Sequence, residues 1–224
     1  MTQSNTLLSV PKRLRPTGLI SLTTIVRSLV SMLIVLVLSN PVLAKNSDVI
    51  AAEKRVIEVT SRIVNLLKQN EALYKKDNNA LNAMIQKQIL PFIDFDGMSK
   101  LTLGKHWRSA NASQKIRFRN AFRQMLIRSY AKTMLDYSGA TIVAGNSVAN
   151  KRPGYVLIRT SVKPQNGIAV VANYSIRKSG NDWKAYNAEI DGINLVTNFR
   201  TNFTREVSAR GLDFLIARLE KSGK

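Results

Sequence analysis

The chain has 224 residues, with 34 Lys and Arg against 14 Asp and Glu, a single histidine and no cysteine. Without cysteine there is no disulfide, catalytic thiol or thiolate metal site, and one histidine cannot build a histidine zinc set. A net charge of +20 points to anionic partners, with nucleic acid the first to be weighed.

Residues 1–44 read as a targeting segment rather than as fold. Lys12, Arg13, Arg15 and Arg27 precede an apolar run over 28–38, and Asn40-Pro41-Val42-Leu43-Ala44 follows. This is the layout of a secretory signal peptide cleaved after Ala44. The run is shorter than the ~20 residues a membrane span needs. An uncleaved N-terminal anchor is the alternative. Residues 45–224 then form a single exported domain, large enough to bury a core. It keeps 30 Lys and Arg against 14 acidic residues, a net charge of +16. Export argues against nucleic acid, and so does the lack of interleaved aromatic and basic residues on an exposed strand. Anionic lipid head groups or an acidic docking surface fit better.

Ser47 is placed to cap a helix over 48–69, whose apolar positions include Val49, Ile50, Val56, Ile57, Ile63, Val64 and Leu67. Residues 70–92 read as further helix, broken near Asp77-Asn78-Asn79 and closed around Pro91, and 94–103 as a short helix. Asn111 followed by Gln114 resembles a capping box and opens a long helix to about Tyr137, ended by Gly139. Strands are predicted over 141–148, 155–163, 167–177 and 183–189. The turns Pro164-Gln165-Asn166-Gly167 and Ser179-Gly180-Asn181-Asp182 make them an antiparallel meander. In the third strand Ile168, Val170, Ala172, Tyr174 and Ile176 alternate with Ala169, Val171, Asn173, Ser175 and Arg177. Asp191-Gly192 breaks the pattern, and helices over 193–209 and 212–219 close the chain. Helices, then strands, then helices predict an α+β fold: a four-stranded antiparallel sheet packed with about six helices. The far face of the sheet, with Arg159, Lys163, Asn173 and Arg177, is expected to be wet.

On the long helix Phe118, Phe122, Met125, Leu126, Ser129, Tyr130, Thr133, Met134 and Tyr137 recur at spacings of three and four. Such a stripe is either core, the usual answer, or the wall of a cavity. Soft methionines and the small Ser129 and Thr133 lean toward the wall. Lys115, Arg119, Arg123, Arg128 and Lys132 fall largely away from the stripe. They read as a solvated face or as a docking surface for partners.

Little in the chain points to catalysis. No nucleophile elbow, glycine-rich phosphate loop or zinc-protease helix is present. The pairs Asp94/Asp96 and Glu189/Asp191 are better explained by helix capping and a turn than by acid–base chemistry. His106, in Gly104-Lys-His-Trp-Arg108, is a surface or packed histidine. No catalytic residue, cofactor or metal is assigned, and a binder or carrier is expected rather than an enzyme.

Four blocks carry a resemblance. They are Leu90-Pro-Phe-Ile-Asp-Phe-Asp-Gly-Met-Ser-Lys-Leu-Thr-Leu-Gly-Lys-His-Trp-Arg108, Ala121-Phe-Arg-Gln-Met-Leu-Ile-Arg-Ser-Tyr-Ala131, Asn194-Leu-Val-Thr-Asn-Phe-Arg-Thr-Asn-Phe203 and Gly211-Leu-Asp-Phe-Leu-Ile-Ala-Arg-Leu219. In this order they resemble MlaC-like proteins, also called the toluene-tolerance family, over most of residues 48–219. The chain departs from the family pattern at His106, where an aromatic is more usual, at Asn187, where an acid is expected, and at Phe199, where tyrosine is common. The resemblance implies a periplasmic phospholipid carrier of Gram-negative bacteria, acting as a monomer and holding phospholipid but no cofactor. It implies shuttling between an outer-membrane lipoprotein–porin complex and an inner-membrane ABC transporter complex, maintaining outer-membrane lipid asymmetry. It also implies a curved sheet and helices around an apolar cavity, with acyl tails inside and the head group outside.

On that reading the apolar stripes of facing elements line the cavity. Phe92, Met98, Leu101, Phe118, Phe122, Met125, Tyr130 and Met134 come from the helices before the sheet. Ile158, Val170 and Tyr174 come from the sheet, and Val196, Phe199 and Phe203 from the helix after it. Two other readings stay open: a periplasmic structural or adaptor domain with a filled core, and an enzyme of unrecognised type.

Overall fold

The structure, a computed structural model, describes residues 46–221. The expected signal segment, 1–44, lies outside the described residues. Helix α1, Ser47–Gln69, is capped by Asn46, whose side-chain oxygen accepts from the Asp48 N–H at 2.9 Å. The cap sits one residue before the expected Ser47, which is already helical. Val49, Ala52, Val56, Val59, Val64 and Leu67 recur on its buried face. The Asp77 carboxylate then separates α2, Glu71–Lys76, from α3, Asn78–Gln88, by accepting from the N–H groups of Asn79 and Ala80. A 3₁₀ turn at Leu90–Phe92 carries Pro91, followed by α4, Phe95–Leu103, and a short α5, Lys105–Ser109.

Helix α6, Ala112–Tyr130, opens with the expected capping box in both halves. Asn111 Oδ1 accepts from the Gln114 N–H at 2.8 Å, and Gln114 Oε1 from the Asn111 N–H at 3.0 Å. Asn111→Ala should cost about 1 kcal/mol. Thermal unfolding should show a midpoint lower by about 2–4 °C, a size-scaled conversion of that loss.

The helix ends seven residues before the expected Tyr137, and a 3₁₀ segment at Thr133–Tyr137 takes over before Gly139 (φ 66°) turns the chain. Its packing explains the difference. Phe118, Ala121 and Phe122 join one cluster, while Ile127 and Ala131 join another. Phe118 and Ile127 are nine residues apart, which places them on opposite sides of a helix at ~100° per residue. No single stripe runs to Tyr137, and Ser129 and Thr133 are exposed rather than set into one.

Six strands form one open antiparallel sheet in the order β1-β3-β4-β5-β6, with β2 also on β3. The strand expected over 141–148 is two, β1 Thr141–Ala144 and β2 Val148–Ala149. Ala144 pairs with Thr160 and Val148 with Leu157, so one extra residue bulges between them. Ser147 Oγ accepts from the Arg159 N–H at 3.2 Å there. A Cβ on Gly145 would come within 3.2 Å of the Arg159 Cβ.

Strand β3, Tyr155–Lys163, alternates as predicted, with Val156, Ile158, Thr160 and Val162 buried. Strand β4, Val170–Ser179, starts three residues later than expected, and Ile168 is 88% exposed in the hairpin loop. Strand β5, Asp182–Ile190, bulges at Tyr186, because Ser175 pairs with Asn187 and Ile176 with Ala185. Asp191 (φ 48°) and Gly192 (φ 78°) form a two-residue turn into β6, Ile193–Asn194. The next helix, α7 Leu195–Arg210, is therefore capped by Asn194, two residues after the expected start. Helix α8, Leu212–Lys221, follows. Among the described residues this makes eight α-helices and six strands. The fold is α+β as predicted, with more elements of each kind.

Three packing clusters organise the molecule. Helix α1 lies on one sheet face, burying Val49, Ala52, Val56 and Val59 against Val156, Ile158, Ile176, Trp183 and Ala185, with Phe92 beside them. Helices α4, α6, α7 and α8 share a second cluster. A third joins the end of α1 to α2, α3 and the end of α6. The far sheet face is drier than expected. Arg159 donates to the Asn146 carbonyl, Asn173 to Glu189, and Arg177 pairs with the buried Asp94, because the start of α4 packs there. Lys163 alone of the four is exposed.

Candidate functional site

The apolar face of the sheet changes character along its strands. At the Trp183 end Val156, Ile176 and Ala185 are fully buried under α1. Toward the other end Ile142, Val162 and Val170 form a cross-strand row, and Ile142 and Val170 are only half-buried. Tyr174, on the same face as Val170, is half-buried too. Helix α1 meets β1 and the Thr133–Tyr137 segment here. Its Ile63 packs against both the sheet cluster and the third cluster, which holds Met134. Period-two alternation points these side chains to the face on which α1 lies, with Val162 buried and its two neighbours in the row half-buried. The apolar face is therefore fully covered at the Trp183 end and only partly covered at the β1 end.

Tyr174 lies on this partly covered face. Burial, the largest influence, raises its phenol above the ordinary value, while hydrogen bonds to Thr60 and Thr160 oppose the rise. Both threonines donate their own hydrogen to backbone carbonyls, Thr60 to Val56 at 2.7 Å and Thr160 to Ala172 at 2.8 Å. Their oxygens remain able to accept the phenol hydrogen. These three hydroxyls therefore have partners, so apolar matter can lie against them without stranding a donor.

Among the described residues no group of His, Asp and Glu is placed to hold a metal ion. His106 is pushed below its ordinary value by burial and then by Lys105, so its imidazole is neutral near pH 7. Its Nε2 is buried with no hydrogen-bond partner.

The fourteen residues expected to line a cavity fall into several neighbourhoods. Ile158, Phe92 and Tyr174 belong to the sheet cluster, Met134 to the third cluster, and Val170 to the open row. Met98, Phe118, Phe122, Val196 and Phe203 are buried in the helical cluster, with Met125 and Phe199 packed against it. There Phe118 stacks on Phe122 at 5.5 Å, and Phe199 and Phe203 meet Phe122 edge-on at 5.4 and 5.8 Å. Leu101 and Tyr130 are 36% and 40% exposed. Periodicity marks which face of a helix is buried, not which neighbour it meets.

The expected basic face of α6 is also not a free surface. Lys115 lies over the Trp107 ring, 5.6 Å from its centre. Arg119 pairs with Asp96, and Arg128 donates to the Leu219 carbonyl at 3.4 Å. Arg123 is half-buried and Lys132 exposed. Helix α6 is flanked by α4 and α8, so its arginines reach neighbours before they reach solvent. Residues missed from sequence are Thr60, Ile63 and Ile142. Ile63 carried a helical signal, but no local pattern joins it to strands 80 residues away.

The comparisons with known proteins agree with one another. The MlaC protein family model matches residues 57–221. The intermembrane phospholipid transport system binding protein MlaC of Haemophilus influenzae is 23% identical over 159 residues, 70% of this chain and 74% of that protein. A toluene tolerance protein of Pseudomonas putida is 29% identical over 150 residues, 66% of this chain and 68% of that protein. The structure of a phospholipid-binding protein from Ralstonia solanacearum, solved in complex with a phospholipid, superposes with a TM-score of 0.71 at 24% identity. The match covers 77% of this chain and 96% of that one, and shows a shared fold.

Proposed function

This chain belongs to the MlaC family, and from that premise we propose that it is a phospholipid-binding transport protein of the Gram-negative periplasm. It is exported by a signal cleaved after Ala44 and works as a monomer. It carries lipid between an outer-membrane lipoprotein–porin complex and an inner-membrane ABC transporter complex, and so maintains outer-membrane lipid asymmetry. The observation that supports the reading is the apolar sheet face under α1, which is only half-buried at Ile142, Val170 and Tyr174; on this reading that end is the mouth of a lipid cleft. Acyl tails enter at that end and run toward Ile158 and Phe92, and the head group stays outside. The helical cluster around Phe118 and Phe122 supports the cleft from beside it.

Physical chemistry says why such a carrier is needed. Two acyl chains hold ~30 methylenes, and at ~0.8 kcal/mol each their exposure to water costs about 24 kcal/mol. A lipid does not cross an aqueous gap against that barrier. A cleft offering similar burial makes exchange between membrane and carrier nearly neutral, so direction comes from the partner complexes.

Organic extraction of the purified protein followed by mass spectrometry tests this directly. About one phospholipid per chain is the expected result, as one cleft holds one ligand. Val170→Trp should lower the lipid recovered severalfold while the protein stays folded, since the indole would occupy the entrance. A folded Val170→Trp protein with full lipid content would remove the cleft from consideration. The densely packed aromatic cluster favours a second reading, a structural or adaptor domain with a filled interior, and a lipid-free extract would select it.

A further inference from the structure

The far side of the sheet carries a different kind of hollow. A pocket of about 380 Å³ opens between the start of α4, the middle of α6 and the β4–β5 hairpin. Four cations from three elements converge on it: Arg119 and Arg123 from α6, Arg177 from β4 and Lys184 from β5. Two carboxylates share it. Asp94 is paired with Arg177 and Asp96 with Arg119. Arg123 and Lys184 have no carboxylate partner among the described residues, so the pocket holds two uncompensated positive charges.

Arg123 supplies a second, independent sign. Its Nε is buried and has no hydrogen-bond partner. Buried N–H donors are nearly always satisfied, and an orphan calls for an explanation. A guanidinium presents donors in a rigid fork that matches a tetrahedral oxyanion. A concave pocket of this size admits a small group and excludes a flat protein surface.

We propose that this pocket binds a phosphate group, carried either by a small soluble phosphate or by an anionic lipid head group. It is separate from the apolar cleft, because Arg177 and Tyr174 point to opposite faces of β4. The inference does not depend on the lipid-carrier reading.

Titration of the ¹⁵N-labelled protein with inorganic phosphate, at constant ionic strength maintained with chloride, reads the arginine Nε–Hε signals of Arg123 and Arg177. Saturating shifts are expected. Arg123→Gln and Lys184→Gln should each weaken the binding about tenfold, the loss that follows from removing one hydrogen bond to a charged group. Arg205→Gln, an exposed arginine on α7, should leave it unchanged. If Arg123→Gln does not fold, Lys184→Gln decides alone. In the second arm, vesicles of phosphatidylglycerol or of phosphatidylcholine are sedimented with the same proteins. Phosphatidylglycerol binding that depends on Lys184 and Arg123 but not Arg205, without saturation by inorganic phosphate, identifies a head group as the source. Shifts that rise linearly with phosphate, or that Arg205→Gln reduces equally, together with vesicle binding indifferent to the pocket variants, would overturn the proposal. Phospholipid extracted from the variants should match the wild type, so this test fails or succeeds apart from the cleft.

Discussion

Phe122→Ala is expected to destabilise the protein by about 3–5 kcal/mol, the range for emptying a buried phenylalanine site. Phe122 is 1% exposed and touches the rings of Phe118, Phe199 and Phe203. Three ring contacts come from two helices, so neither α6 nor α7 can shift to fill the gap without breaking another pair. Part of the cost is the transfer of the ring to water, and part is the cavity left in a rigid surround. The thermal midpoint should fall by roughly 6–20 °C, at about 2–4 °C per kcal/mol for a domain of this size. Extracted phospholipid per folded chain should stay at the wild-type level. This separates two roles the sequence alone could not distinguish. If the variant kept its stability and took up more lipid, the aromatic cluster would be a wall of the lipid site rather than its scaffold.

That ambiguity shows what local pattern can and cannot carry. The capping box at Asn111 and Gln114 is legible because both partners lie within one turn. The inward set Val156, Ile158, Thr160 and Val162 is legible because a half-buried strand forces a period of two. The early end of α6 is not, since the sequence through Tyr137 keeps helical spacing and only the opposed contacts of Phe118 and Ile127 show that two faces are in use. The split of the first strand turns on Ser147 meeting the Arg159 backbone, a contact between strands. Lys115, Arg119, Arg123, Arg128 and Lys132 read as solvent-facing because their spacing opposes the apolar stripe. Spacing says nothing of α4 and α8 standing on either side. A lipid cavity was suggested only by the family resemblance, because the half-buried row joins Ile142 to Val162 and Val170 across three strands and no local motif spans such a distance.

Surface charge follows the same logic. The net charge is large, yet many of the cations are engaged within the fold. Arg117 lies against Glu220, Arg218 against Glu206, Arg55 against Asp182 and Arg119 against Asp96. Exposed pairs of this kind add little stability each, but they fix where the remaining positive charge is available. A docking role for the expected basic set would therefore rest most directly on Lys132, which is exposed in the turn after α6. Steering by such charges acts on association rate and fades with salt.

Asp94→Ala should be the most damaging change at a polar residue, costing about 2–4 kcal/mol. Asp94 is 6% exposed and acts in three directions. Its Oδ1 accepts from the Gly97 N–H at 3.0 Å, capping α4. Its Oδ2 pairs with Arg177 on the sheet. Its backbone N–H donates to the Ala185 carbonyl at 2.8 Å, beside the bridge between Ile93 and Ala185. The cap alone is worth ~1 kcal/mol. The rest comes from leaving the Arg177 charge without its partner, a penalty reduced because that side chain keeps 36% of its surface in water. Asp94→Asn preserves an acceptor for Gly97 but puts an amide donor where Oδ2 accepts from Arg177, so it keeps the cap, loses the ion pair and should cost about 1 kcal/mol less than Asp94→Ala. Gly97→Ala should act through the same point, as a Cβ there would collide with the Asp94 carboxylate. Urea unfolding measures all three, and an unchanged m-value would show that the midpoint shifts are stability changes. The order Ala worse than Asn at residue 94 follows if the carboxylate joins the helical cluster to the sheet. Equal and small losses would mean that Ile93, which packs against both clusters, holds that seam by itself.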